Sequence, residues 1–379
     1  MNILIAMDSF KGSVTSLEAG EAVADGIRQA DPSAVTQIIP LADGGEGTVE
    51  ALVRSTGGKL IRTHVTGPLG QPVTAKYGLL GDARTAVIEI AEACGLTLVP
   101  EEKQNPLRTT TTGVGELILD AIKNGARSLI IGLGGSATND AGIGMLQALG
   151  YRFLDVSGQE VPRGGAALGA IRSIDATAVH PSLKGINIQV ACDVNNPLHG
   201  EQGAAHIFGP QKGADPEMVE QLDKGLKNFA EVFKEHFDLD VQSIPGAGAA
   251  GGLGAALAGL LGAELRSGID LMLEAVNLRE HLQTADLVIT GEGRLDAQSS
   301  MGKTAMGVAG LAKERGVSCI ALAGSVTADA AALNDLGVTA YFSILNEPTT
   351  LEEAMNPERT KANLQQISRQ LIRLYQARR

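Results

Sequence analysis

The sequence predicts an α/β protein in which a parallel-sheet domain is assembled from both ends of the chain and a second α/β domain is inserted between them. Three observations carry this. Two strand-loop-helix units fill the chain before residue 60, hairpin character replaces that rhythm after residue 72, and strand-helix alternation returns after residue 270. Short connections between successive strand and helix favour parallel strands with their loops gathered at the carboxyl edge of the sheet.

The elements follow in order. NILIAM is a short apolar strand, DSFKGS a polar turn, and Thr15-x-x-Glu18 a capping box ahead of an Ala-rich helix. TQIIPLA is the second strand, DGGEG its loop, and TVEALVRS a helix stopped by Gly57 and Gly58. VTAKYGLL and TAVIEIA, flanking Gly81-Asp82, form a hairpin, so the boundary is placed near residue 72. The inserted domain, 73–270, holds a helix over 109–124 stopped by Gly125, the strand SLIIGL, a glycine-rich loop, the strand INIQVACD and a long helix from Asp215 to His236. From 271 the first domain resumes with DLVITGEG, a helix over 302–315, SCIALAG, a short Ala-rich helix, TAYFSIL and a C-terminal helix, so that 1–72 and 271–379 form one discontinuous domain.

Composition narrows the function classes. A net charge of -12 offers no basic footprint for nucleic acid or an anionic membrane, so anionic ligands must be met by local cations. Aromatic residues make up only 3% of the chain, with no Trp, so the core must be built from Ala, Val, Leu and Ile. Cys94, Cys192 and Cys319 are too few and too scattered for a disulfide framework or a zinc site, which fits a reducing, cytoplasmic setting. The N-terminus lacks a basic flank and reads as a strand, not a signal peptide. Residues 246–263 carry no charge but are mostly Gly and Ala, and Leu253, Leu257, Leu260 and Leu261 recur at helical spacing; a packed internal helix is expected, with no membrane span.

Several loops can carry chemistry. Asp8-Ser9-Phe10-Lys11-Gly12-Ser13 joins a strand to a helix N-terminus, where backbone N–H groups, the helix dipole and Lys11 can converge on an anion. Asp43-Gly44-Gly45-Glu46-Gly47 repeats that placement with two carboxylates suited to Mg²⁺ or to orienting a hydroxyl. The small residues from Gly134 through Asp140 suit a loop that wraps phosphate, with Ser136, Asn139 and Asp140 as polar contacts. Asp193 ends a strand and is placed for a cleft, Lys212 adds a loop cation, and Gly291 to Asp296 with Gly302-Lys303-Thr304 mixes acidic and basic groups at a helix start. Ala297 stands where a P-loop needs its first glycine, so that motif is excluded.

Gly132-x-Gly134-x-x-Ala137, with Asp155 downstream, imitates a dinucleotide fingerprint and motivates a rival reading, an NAD-dependent hydroxy-acid dehydrogenase. Gly246-x-Gly248-x-x-Gly251 lacks an acidic follower. The six histidines show no H-E-x-x-H pattern and no G-x-S-x-G partner, which disfavours zinc and triad hydrolysis. A second rival is a non-catalytic sensor of a small acid that uses the same loops only to bind.

Taken together, MDSFKGS, LADGGEGT, GLGGSATNDAG, ACDVNNPL, FGPQKGA and TGEGRLDAQSSMGK resemble the bacterial glycerate kinases of the type that makes 2-phosphoglycerate, in order and over nearly the whole chain. Ala141 departs from the second glycine common in the family. The resemblance implies a flavodoxin-like parallel-sheet domain from both chain ends with an inserted α/β domain, ATP and Mg²⁺ as co-substrates, and D-glycerate as acceptor. For a phosphoryl transfer with a loose transition state, where the protein positions the reactants and neutralises charge, we assign Lys11, Asp193 and Arg294 catalytic roles, with Asp193 taking the acceptor proton. Asp8, Ser9, Ser136, Asn139, Asp140, Lys212 and Lys303 become substrate or phosphate contacts, and Asp43, Glu46, Glu292 and Asp296 metal ligands. Loops of both domains are expected to share the site. Oligomeric state is left open.

Overall fold

Every residue of Asn2–Met7 after the first is buried, as a strand flanked on both sides and covered on both faces requires. It lies in a five-stranded, wholly parallel sheet ordered Ala340–Ser343, Ser318–Val326, Leu287–Leu295, Asn2–Met7, Val35–Ile38. A computed structural model of the chain describes residues 1–296 and 304–377. Its contacts divide the chain into one unit of Met1–Asp43, Glu50–Thr56 and Ile269–Arg379 and a second of Gly44–Val49 and Gly57–Gly268.

Counted within the first unit, the strand order is 2-1-3-4-5, the flavodoxin-like winding, and the progression reverses between Asn2–Met7 and Leu287–Leu295. The register Ile3↔Leu287, Ile5↔Ile289 sets the ends of these two strands side by side. Helix Ser16–Ala30 starts with the expected capping box, Thr15 and Glu18 bonding each other's backbone N–H. It packs with the C-terminal helix Pro357–Gln376 around Ile5, Val23, Ile27, Leu364 and Ile372.

In the second unit a six-stranded sheet runs Glu264–Arg266, Asn187–Ala191, Ser128–Gly132, Thr85–Glu89, Pro72–Leu79, Lys59–Thr66. The first four strands are mutually parallel; the last two join antiparallel, which is the expected hairpin with one further strand. After Gly44–Val49 the chain returns to this unit at Gly57, and Lys59–Thr66 pairs along its whole length with Pro72–Leu79. The long helix is Pro216–Phe237, with Asp215 accepting from the Met218 N–H at its N-terminus, and it buries Phe229 and Phe233.

The Gly/Ala segment forms helix Ala249–Leu261, but Ala250, Gly251 and Gly252 hold φ of 51°, 73° and 94°, so regular helix begins only at Leu253. Gly251 leaves no room for a side chain: a Cβ there would collide with the carbonyl oxygen of Thr138 and the Cα of Asn139. Among the described residues no helix is long and apolar enough to cross a membrane.

Candidate active site

The reversal of strand order in the first unit makes a crevice outside the carboxyl ends of Asn2–Met7 and Leu287–Leu295, the usual ligand position in such sheets. The Asp8 backbone N–H bonds the Gly291 carbonyl at 2.9 Å, fastening the first loop to the second strand end. Phe10 and Val14, both buried, bridge across a tight turn and lift Lys11 to its tip, 77% exposed. Its Nζ lies 4.0 Å from Asp43 Oδ2. Gly293 packs near the backbone of Phe10 and Lys11, so a lysine, two aspartates and the Glu292 to Asp296 stretch meet at one edge.

Asp8 is half-buried, and its Oδ2 accepts from Thr304 Oγ1 at 2.6 Å while Oδ1 accepts from the Ser9 N–H. Burial raises its pKa above the ordinary carboxylate value, the Thr304 bond draws it down, and the Asp43 charge pushes it up. Glu292 is buried, and Arg294 pairs with Asp296 at 3.0 Å. Lys303 lies outside the described residues.

In the second unit the glycine-rich loop after Ser128–Gly132 is braced from below. Four consecutive threonines, Thr109 to Thr112, are all buried at the head of helix Thr112–Lys123. Thr109 donates to the Ala137 carbonyl, and Thr111 donates to Asp140 through both N–H and Oγ1. Asp140 also accepts from the N–H groups of Gly142 and Gly144, so this fully buried carboxylate organises the loop; burial nevertheless raises its pKa. Lys212 is only 2% exposed and donates to Ser136 Oγ at 2.8 Å and to the Thr138 carbonyl at 2.7 Å. Burial pushes its pKa down to about 8, with the nearby Asp140 carboxylate acting to raise it.

Asp193 follows Asn187–Ala191, exposed to solvent, with Oδ1 accepting from the Gly268 N–H at 2.9 Å. Glu46 is also exposed, in the segment Gly44–Val49 that lies against the second sheet. There Gly44, at φ +94°, presses its carbonyl on Gly132, and a Cβ on it would stand 2.7 Å from that of Ala191. Gly44→Ala is therefore expected to cost about 1–3 kcal/mol, read as a fall in Tm by calorimetry.

Sequence reasoning did not assign the supporting residues Thr304, Thr111 and Glu89. Glu89 ends a strand, is buried, and accepts from the Val49 N–H at 2.8 Å. The run of four threonines before an apolar helix was the available signal for Thr111. The dinucleotide reading is corrected by Asp155, which would have to end a strand of the same parallel sheet. Instead it follows Arg152–Leu154, in a separate antiparallel pair with Ser173–Asp175, and is used up in a turn by Ser157 and Gln159. A groove of about 760 Å³ in this unit, lined by His64, Glu116, Lys123, Arg127 and Lys184, includes none of the candidate residues.

The first unit carries a lysine and carboxylates at a flavodoxin-like switch point, and the second carries a buttressed glycine-rich loop; each is suited to meeting a phosphorylated ligand. The chain belongs to the glycerate kinase family, whose model matches residues 3–376. It is 51% identical over 354 residues to the glycerate 2-kinase of Escherichia coli (strain K12), covering 93% of each chain. It is likewise 51% identical to the glycerate kinase of Bacillus subtilis (strain 168), with the same coverage. A crystal structure from Salmonella typhimurium LT2, described as a candidate glycerate kinase 2, superposes with a TM-score of 0.91 at 47% identity, covering 100% of this chain and 98% of that one.

Proposed function

We propose that this kinase transfers the γ-phosphoryl group of ATP to the 2-hydroxyl of D-glycerate, releasing ADP and 2-phosphoglycerate. The observation that carries the reading is the switch-point edge of the first unit, where exposed Lys11 stands 4.0 Å from Asp43 and half-buried Asp8 is fixed behind them by Thr304. Phosphoryl transfer has a loose transition state, so the protein's work is to position the reactants and neutralise phosphate charge. Lys11, Arg294 and Lys303 are assigned to that charge. Ser9, Ser136 and Asn139 are assigned to substrate or phosphate oxygens, with Asp140 acting by shaping their loop.

Among the described residues no three of His, Cys, Asp and Glu gather into a metal cage. Mg²⁺ in a nucleotide site needs only one or two carboxylates beside phosphate and water. The Asp43 charge acts to raise the Asp8 pKa, which supports a place for a cation beside these carboxylates of the first unit. Asp43, Glu292 and Asp296 fit this role, with Glu46 as a further candidate. When bound, Mg²⁺ neutralises the β- and γ-phosphate oxygens. ATP as donor fits a cytoplasmic location.

Asp193 is assigned to the proton of the attacking hydroxyl. Asp193→Asn is expected to lower kcat by roughly 10²-fold with an unchanged Mg²⁺ requirement, whereas Asp43→Asn should need more metal. Titrating Mg²⁺ against both variants checks this, and the opposite pattern exchanges the two roles. The function itself is tested by D-glycerate-dependent ADP release with ³¹P NMR of the product. A phosphate on C2 couples to one proton and gives a doublet, a phosphate on C3 couples to two and gives a triplet, and no turnover refutes the reading.

A further inference from the structure

We propose that Lys212 acts through Ser136: its buried amine occupies the oxygen of the Ser136 hydroxyl and leaves the hydroxyl proton to be donated to an anionic oxygen of the substrate, carboxylate or phosphate. Lys212 is then a positioning residue, and Ser136 is the group that touches the ligand. The inference rests on the kinase reading above.

The direction of the contact is fixed by chemistry, since an ammonium has three donors and no acceptor. Nζ therefore donates to Ser136 Oγ at 2.8 Å, and it also donates to the Thr138 carbonyl at 2.7 Å. Among the described residues the Ser136 hydroxyl has no other side-chain or backbone partner, and the residue as a whole is 7% exposed. Buried polar groups are nearly always satisfied, so a donor left over on a loop at a strand end calls for an acceptor from outside the chain. Asn139, in the same loop, is fully buried with both amide atoms unpartnered among the described residues. The Thr138 hydroxyl, also buried, has no hydrogen-bond partner among the described residues either, so Ser136 is one of three polar side chains in this loop with capacity unused.

Lys212 itself is poorly placed to meet a ligand. At 2% exposure, with two of its three donors already taken, it is enclosed by the loop it braces. Nor is its charge held for an ion pair, because no carboxylate lies within 4.0 Å among the described residues and burial keeps the neighbouring Cys94 a neutral thiol, its pKa pushed up to about 12. Keeping an ammonium there is costly, and the cost is intelligible if the charge strengthens the Ser136 hydroxyl as a donor. Cys94 Sγ and the Asp140 carboxylate are the titratable groups that act on it.

A double-mutant cycle tests this. Ser136→Ala should raise the KM of one substrate about 10- to 100-fold, with kcat within about threefold, as expected for loss of one bond to a charged group. An effect on D-glycerate assigns the carboxylate, and an effect on ATP assigns the phosphate. Lys212→Met should raise the same KM by a similar factor, and the double variant should be no worse than the larger single one. Multiplicative effects, or a Ser136→Ala enzyme with both KM values unchanged, overturn the proposal. If Lys212→Met does not fold, Lys212→Gln replaces it, and the Ser136→Ala result still decides. A wild-type chain that turns over no D-glycerate refutes the functional reading instead. The cycle is then read on the Tm shifts produced by ATP and by D-glycerate separately, which need no turnover and carry the same two outcomes.

Discussion

Replacing Lys11 with alanine is expected to lower kcat by about 10²- to 10³-fold, the usual effect of removing a preorganised positive group from a transferring phosphoryl. The fold should be unaffected. Lys11 is 77% exposed at the tip of the Phe10 to Val14 turn, and its 4.0 Å contact with Asp43 is a surface ion pair, a kind generally worth no more than about 1 kcal/mol. Steady-state kinetics and calorimetry on one preparation separate the two effects. Normal turnover in a folded Lys11→Ala protein would leave the residue as an ordinary surface lysine.

Asp140→Ala should do the reverse and destabilise the protein by about 3 kcal/mol or more, because four donors, the N–H groups of Thr111, Gly142 and Gly144 and the Thr111 hydroxyl, lose their acceptor in a dry interior. Asp140→Asn keeps an oxygen acceptor and removes a buried charge, so its Tm should fall far less. The pH dependence has a definite sign. Burial raises this carboxyl above its unfolded value, so its contribution to stability is full below the unfolded pKa of about 3.8 and is lost as pH rises through the raised folded value. That slope should vanish in Asp140→Asn, and denaturant melts across the acid range would show it. An Asp140→Ala enzyme of wild-type Tm with a raised KM would place this carboxylate in direct contact with a ligand.

Much of the fold was legible because its signals are local. The capping box at Thr15 and Glu18, the Gly81-Asp82 turn and the apolar strands on both sides of the insertion lie in contiguous residues. Lys59–Thr66 was not legible. As the edge strand of its sheet it carries Lys59, Arg62 and His64 and is largely exposed, so no apolar alternation marks it. The kink at Ala250 to Gly252 was hidden because leucine spacing reports a helix but not where it begins.

At the site, motif positions could be read, but burial could not. Lys212 stands between Pro210-Gln211 and Gly213 as a loop cation by sequence, yet the short 3₁₀ turn Pro210–Lys212 carries it inward. Asp193, at the end of an apolar strand, emerges exposed. Both outcomes are set by distant residues, Ser136 and Thr138 in one case and Gly268 in the other.

The pairing of Asn2–Met7 with Leu287–Leu295 also has a consequence for the order in which the chain acquires structure as it leaves the ribosome. Loop closure over so long a separation cannot be rewarded until both partners exist. The first strand therefore waits with only Val35–Ile38 beside it while the whole contiguous stretch Gly57–Gly268 is synthesised and free to collapse on its own core. During that interval an apolar, β-prone strand has an open edge, where it can pair with another chain until Leu287–Leu295 is made.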